Sequence, residues 1–130
     1  MSILAIDYGE KNIGLALVPE GTTTAVPLDT ISNSGKWNLR TDLEFFVKQK
    51  NVKKIVVGMP LSMDGTKGPQ AERVQVFVDF LRDETPWDVD TVDERLSTAE
   101  AQRYAKEAGV DLDSVAAVMF AQSYVDRNNT

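Results

Sequence analysis

The stretch KKIVVGMP at residues 53–60 constrains the fold more than any other part of the sequence. Its apolar residues follow one another without alternating with polar ones, which is typical of a β-strand covered on both faces. A sheet that is covered on both faces needs helices above and below it. We therefore predict an α/β protein in which this strand lies near the centre of the sheet.

Three short apolar segments precede this strand, and a helix follows the third of them. Residues 2–7 and 13–18 predict two adjacent strands joined by a five-residue loop. Residues 24–31 predict a third strand, in which Pro27 indicates an edge or a bulge. Consecutive strands without an intervening helix form an antiparallel meander. Helical spacing of apolar residues then predicts a helix that ends near Gln49.

Helices and strands alternate after the central strand. Pro69 suits the first position of a helix, and residues 87–92 predict a fifth strand. Residues 97–108 begin with a capping-box pattern and predict a helix, and residues 113–126 predict a last one. The order β-β-β-α-β-α-β-α-α is that of the ribonuclease H-like fold. We expect a mixed five-stranded sheet, made of the meander and two parallel strands and flanked by helices, in a single domain over residues 1–130.

The composition narrows the chemistry. The sequence contains no histidine and no cysteine, which excludes imidazole bases, thiolate ligands and disulfides. Catalysis would therefore depend on carboxylates, lysines, hydroxyls or a bound ion. No basic region followed by a long apolar segment opens the chain, so we expect a cytoplasmic protein without a membrane span.

The charge is acidic and uneven. The net charge is −6, and residues 79–94 contain seven acidic residues against one arginine. Such a balance argues against broad electrostatic capture of nucleic acid, which usually needs a basic surface. It is compatible with an enzyme whose acidic site acts on nucleic acid through bound cations.

Acidic residues occur at three predicted element boundaries. Asp7 ends the first strand, Asp93 and Glu94 end the fifth, and Asp113 begins the last helix. If the first and fifth strands are neighbours, their carboxyl ends lie together, and a helix across that end brings Asp113 to the same place. Oxygen-only ligands suit Mg²⁺ or Mn²⁺. Two such ions about 4 Å apart would activate a water and stabilise the leaving oxygen of a phosphodiester.

Each boundary also has a simpler interpretation. Asp7 is a common turn residue, and Asp113, or Asp111 just before it, could cap the last helix. Asp93 and Glu94 could be the solvated end of an acidic stretch. The loop at residues 61–68 precedes a helix N-terminus that could contact a phosphate, or it is a plain turn with a solvated lysine. The candidate phosphate-binding side chains are Lys11, Lys67, Arg73 and Arg95.

Four blocks of sequence carry a resemblance to a known family. They are IDYGEKNIGLAL at residues 6–17, VVGMPLSMDGTKGPQAERVQVF at 56–77, VDERLSTAEAQ at 92–102 and DSVAAVMFAQSYVD at 113–126. Together they resemble the YqgF/RuvX family, bacterial relatives of the RuvC Holliday junction resolvases. The first block also resembles the opening of sugar kinases and Hsp70-type ATPases, whereas the combination with GMPLSMDGT and DERLST is specific.

The resemblance implies a ribonuclease H-like nuclease, a hydrolase that needs Mg²⁺ or Mn²⁺. The family's strand aspartate falls on Asp7, its acidic pair on Asp93 and Glu94, and its helix aspartate on Asp113. We expect Asp7, Glu94 and Asp113 to hold the metal and Asp93 to support them. The implied function is ribosome biogenesis, through maturation of the 5′ end of pre-16S rRNA, with Holliday junction resolution as the competing proposal. Asn12 stands where the family usually has a basic residue.

Two other functions rank behind the nuclease. A catalytically idle member of the fold could act as an interaction module on the ribosome or in transcription, and the reduced positive charge favours it. An ATP-binding domain of the Hsp70–sugar kinase type is disfavoured, because that architecture needs a second domain of similar size and 130 residues leave no room for it. The expected partner of a nuclease is structured RNA or branched DNA. A resolvase acting on two strands would also favour a two-fold homodimer.

Overall fold

The computed structural model describes residues 2–61, 64–93, 107, 109 and 112–128. The strands are β1 (Ile3–Tyr8), β2 (Asn12–Val18), β3 (Val26–Pro27), β4 (Ile31–Ser32), β5 (Lys54–Met59) and β6 (Val89–Asp93). The helices in this part of the chain are α1 (Lys36–Gln49), α2 (Pro69–Glu84) and α3 (Leu112–Asn128). The mixed α/β class predicted from the sequence is confirmed.

The strand order in the sheet is β3-β2-β1-β5-β6, with β4 also paired to β2. β1 is antiparallel to β2 and parallel to β5, which is in turn parallel to β6. The apolar run at residues 53–60 is therefore an inner strand, as predicted. The expectation that the first and fifth predicted strands are neighbours is wrong, because β5 lies between β1 and β6. β5 is buried along most of its length whereas β6 is half-exposed, so β6 suits the outer position.

The sheet has six strands because the third predicted strand is interrupted. Residues 24–31 contain β3 and the start of β4, both paired with β2. Between them, the backbone N–H of Leu28 still donates to Leu15 O at 2.9 Å. The carbonyl of Leu28 instead accepts a hydrogen bond from the Ser114 side chain on α3. The pairing with β2 shifts by one residue between β3 and β4, so a bulge with one extra residue separates the two strands.

The apolar core has one cluster on each face of the sheet. Leu4 and Ile6 of β1 belong to the cluster with the buried sides of α1 and α2. Ile3 and Ala5 belong to the cluster with α3. Side chains alternate between the faces of a strand, so Asp7 continues the series that faces α3.

The helices follow the apolar spacing of the sequence. α1 ends at Gln49, as expected, and Pro69 is the first residue of α2. Four apolar residues that recur at helical spacing in α2 are buried: Val74, Phe77, Val78 and Leu81. The loop between β1 and β2 is shorter than the predicted five residues, since only residues 9–11 lie between the strands.

Two contacts define the direction of α3 over the sheet. The Phe120 ring lies against Gly58 near the carboxyl end of β5, so closely that a Cβ on Gly58 would be within 2.7 Å of three ring atoms. One turn later in the helix, the Tyr124 ring lies 5.8 Å from Lys54 Nζ, at the beginning of β5. α3 therefore runs opposite to β1 and β5. Its first turn lies towards the edge where these strands end.

The predicted helix at residues 97–108 lies outside the described residues except for Glu107. Gly109, directly after the predicted helix, has a positive φ of 68°, a conformation that favours glycine. None of the helices in the described part of the chain combines the length and apolarity that a membrane span requires.

Candidate active site

Asp7 is half-buried at the penultimate position of β1, on the face covered by α3. The two carbonyls that follow it are held by side-chain amides from different parts of the chain. Gln70 Nε2, in the first turn of α2, donates to Tyr8 O at 3.1 Å. Asn33 Nδ2 donates to Gly9 O at 2.8 Å. The backbone after Asp7 is therefore fixed from both sides, which gives its carboxylate a defined position.

The turn after Asp7 is too tight for a side chain at Gly9. A Cβ at this position would lie 2.5 Å from the backbone oxygen of Asn12, which is a steric clash. Glycine has no Cβ, so it fits this turn without the clash. The backbone of the turn is also held by Asn33, whose N–H donates to Lys11 O at 2.8 Å. The side chains of Lys11 and Asn12 are exposed, so the turn presents one cation beside the end of β1.

Asp113 is the second residue of α3, and α3 begins at the sheet edge where β1 ends. The helix packs on the same face of the sheet as Asp7. The side chain of Asp113 lies outside what the structure describes, and so do all atoms of Glu94 and Arg95. The backbone arrangement is the one expected if a helix delivers a second carboxylate to this edge.

Asp93 ends β6 and is paired in register with Met59 of β5. Met59 belongs to the cluster with α1 and α2, and paired residues of neighbouring strands face the same side. Asp93 therefore lies on the opposite face of the sheet from Asp7. Two strand spacings, about 10 Å, also separate β6 from β1. The structure does not bring Asp93 and Asp7 together.

Two of the candidate phosphate-binding cations lie near the start of α2. Lys67 Nζ donates to Gln75 Oε1 at 2.8 Å. Arg73 Nη1 is 3.2 Å from Glu10 Oε1 and 3.0 Å from Gln70 Oε1. Arg73 and Glu10 are half or more exposed, and an ion pair in such a position contributes about 0–1 kcal/mol. The guanidinium can therefore exchange this partner for a phosphate at little cost.

The residues that position Asp7 are not marked in the sequence. Asn33 and Gln70 act through carbonyl groups that are distant in sequence, and neither belongs to a recognisable motif. Ser114, which fixes the first turn of α3, is not marked in the sequence either. A single Asn in a turn or a single Gln in a helix forms no sequence pattern that would predict such a role, because the role depends on tertiary contacts.

The donor chemistry of this edge fits a hard divalent cation. The chain has no histidine or cysteine, so side-chain ligands would be oxygen atoms, which Mg²⁺ and Mn²⁺ prefer. Among the described side chains, no group of three or more acidic residues closes around one point. Asp7 is the one member of the predicted ligand set whose side chain the structure describes; the other two predicted ligands are Glu94 and Asp113.

Solved structures share this architecture. Over the whole chain, the Thermus thermophilus RuvC structure matches with a TM-score of 0.60 and 13% identity, covering 98% of that protein. Fowlpox virus resolvase, solved with substrate Holliday junction DNA, matches with a TM-score of 0.61 and 13% identity over 100% of both chains. The chain thus has the ribonuclease H-like fold.

Sequence comparison identifies the family within that class. The family model described as "RuvX: Holliday junction resolvase" matches residues 1–127. A Clostridioides difficile protein named "Putative pre-16S rRNA nuclease" is 40% identical over 131 residues, covering 95% of this chain and 93% of the relative. A Bacillus cereus protein of the same name is 41% identical over 136 residues, covering 98% and 99%. The chain belongs to the RuvX family, which confirms the resemblance.

Proposed function

We propose that this protein is a metal-dependent nuclease that hydrolyses phosphodiester bonds of structured nucleic acid, with the 5′ end of pre-16S rRNA as its substrate. The observation that carries the proposal is the 40% identity, over nearly the full length of both chains, to a protein named for that activity. The carboxylate of Asp7, held at the end of β1 and facing α3, supports it.

We propose Asp7, Glu94 and Asp113 as the residues that hold Mg²⁺ or Mn²⁺. Asp7 and the first turn of α3 share one face and one edge of the sheet, which supports a joint role for Asp7 and Asp113. Glu94 is included because it follows Asp93 directly in the sequence and matches the family's strand-end acidic pair. The opposite orientation of Asp93 favours a supporting role over direct contact with the ions.

Bound ions would supply an activated water and charge stabilisation of the leaving oxygen, the chemistry of two-metal phosphodiester hydrolysis. The protein's own contribution is binding and orientation. Asp7 offers carboxylate oxygens from a backbone fixed by Asn33 and Gln70. The exposed cations Lys11, Lys67 and Arg73, together with Arg95, would bind the phosphates that flank the cleaved bond.

Holliday junction resolution is the second candidate. The family description and the resolvase fold of the structural relatives favour it. Two-metal cleavage is the same chemistry on DNA and RNA, so the active-site residues do not discriminate between the two. Resolution of a four-way junction cuts two strands and predicts a two-fold homodimer, whereas trimming of an rRNA end does not need one.

The experiment is a cleavage panel with the purified protein. The substrates are a structured pre-16S rRNA fragment, a four-way DNA junction, and single-stranded RNA and DNA, each with Mg²⁺, with Mn²⁺ or with EDTA. Metal-dependent cleavage of the rRNA fragment alone supports the proposal. Preferred cleavage of the junction supports the resolvase candidate. Metal binding without any cleavage would overturn both in favour of an interaction module.

A further inference from the structure

The chain between β2 and α1 runs alongside β2. We call residues 22–33 of this segment the strap. Its two short strands, β3 and β4, pair with β2. The other side of the strap contacts α3. The strap contacts α3, which carries the proposed ligand Asp113, directly. It contacts β1, which carries the proposed ligand Asp7, through the turn at residues 9–11.

Ser114 attaches the first turn of α3 to the strap. Its side chain is 3% exposed, and its Oγ donates to Leu28 O at 2.9 Å. Ser114 Oγ also lies 3.1 Å from Thr30 Oγ. A hydroxyl has a single hydrogen to donate, so Thr30 must be the donor in the second bond. The result is a satisfied chain from Thr30 through Ser114 to the Leu28 carbonyl.

Gln122 attaches α3 to the strap a second time. Its Nε2 donates to Thr23 O at 2.9 Å, and its Oε1 accepts from Ala25 N at 3.0 Å. Eight residues separate Gln122 from Ser114, a rise of about 12 Å along a helix. Two attachments at this spacing resist both sliding and rotation of α3 against the sheet.

The far end of the strap holds the turn after Asp7. The side-chain amide of Asn33 donates to Gly9 O, and its backbone N–H donates to Lys11 O, each at 2.8 Å. Asn33 is only three residues from Thr30. One short, hydrogen-bonded segment thus connects the backbone beside Asp7 to the backbone beside Asp113.

We propose that the strap sets the relative position of Asp7 and Asp113 and thereby the affinity of the site for its divalent cation. Ser114, Thr30 and Asn33 are positioning residues in this scheme. The inference rests on the proposed function, because it assumes that the two carboxylates bind one metal site. Partners that orient metal ligands typically contribute 10–100-fold to metal affinity, and the strap would act in this way through the backbone.

The test is the dissociation constant for Mn²⁺, measured by isothermal titration calorimetry without substrate. Ser114→Ala, Asn33→Ala and the isosteric Thr30→Val should each weaken Mn²⁺ binding by about ten-fold. Thr30→Ser keeps the hydroxyl and should restore the affinity. Ser123→Ala is the matched control, because it makes the same substitution on the same helix at a half-buried position. Circular dichroism at the titration temperature verifies that each variant is folded.

The outcomes separate this inference from the proposed function. If the unsubstituted protein does not bind Mn²⁺, the metal site itself is wrong and the strap has nothing to position. If it binds Mn²⁺ and the folded Ser114→Ala and Thr30→Val variants bind it equally well, the metal site stands and the role of the strap is overturned. A loss in Thr30→Val that Thr30→Ser reverses supports the strap.

Discussion

The close approach of α3 to the sheet at Gly58 gives a quantitative prediction. Gly58 lies on the inner strand β5, and the Phe120 ring, which is 2% exposed, occupies the space where a side chain would be. In Gly58→Ala, the new methyl group would approach three ring carbons within 2.7 Å. Because β5 is paired on both sides, the strand cannot shift, and the ring or the whole helix must move.

Overpacking of a buried site typically costs 1–3 kcal/mol. Three simultaneous clashes with a fully enclosed ring put Gly58→Ala at the upper end, about 3 kcal/mol. For a domain of this size, each kcal/mol lowers the melting temperature by roughly 4 °C, so the expected loss is about 12 °C. Since α3 also carries Asp113, the displacement should weaken Mn²⁺ binding as well.

The assay is urea unfolding analysed by linear extrapolation. Phe120→Leu removes the clashing ring edge, so the double variant Gly58→Ala/Phe120→Leu should lose less stability than the two single variants added together, by about 1 kcal/mol or more. Gly68→Ala is the control, because a Cβ at that position would have no neighbouring atom within 4 Å. A Gly58→Ala variant within about 0.5 kcal/mol of the parent would refute the close packing of α3 on β5.

Two further substitutions test the turn beside Asp7 and the opposite edge of the sheet. Gly9→Ala should destabilise the protein by about 2 kcal/mol in urea unfolding, because its methyl group meets the fixed carbonyl of Asn12; a loss no larger than that of Gly68→Ala would contradict the tight turn. The hydrogen bond to Asp88 raises the pKa of Lys54 above its ordinary 10.5. The contact between charged Lys54 and Asp88 therefore stabilises the folded protein fully at pH values just below 10.5, and this contribution is lost as the pH rises through the folded-state pKa. Lys54→Met should therefore cost about 1 kcal/mol at pH 7, and urea unfolding at several pH values should show this deficit shrinking only above pH 10.5; a deficit that shrinks between pH 7 and 9 would contradict the assignment.

The parts of the fold that the sequence predicts well are those with a strong local pattern. β5 was recognisable as an unalternating apolar run, and α2 as a Pro69-initiated helix with one apolar face. The strand order was not predictable to the same degree, because it depends on long-range pairing. The expectation that β1 and β6 are neighbours failed for this reason, and with it the grouping of Asp93 with Asp7.

The candidate site shows the same division. Asp7 and Asp113 stood at element boundaries in the sequence, and the structure puts the end of β1 and the start of α3 at one edge. The face on which Asp93 lies follows from register, which a single-residue shift would invert. The hydrogen bonds of Asn33 and Ser114 join segments that are distant in the chain, so no local pattern predicts them. The roles of Asp7, Glu94, Arg95 and Asp113 in binding metal or phosphate stay predictions.

The most direct test of the account is the cleavage rate of the pre-16S rRNA fragment by Asp7→Asn, measured with saturating protein and Mn²⁺. Asp83→Asn is the matched control, because it makes the same change at an exposed position of α2. We expect Asp7→Asn to lose on the order of 100-fold or more, beyond the usual effect of residues that only orient a ligand, while Asp83→Asn cleaves like the parent. Equal cleavage by a folded Asp7→Asn variant would contradict the central claim that the carboxylate at the end of β1 holds the catalytic metal.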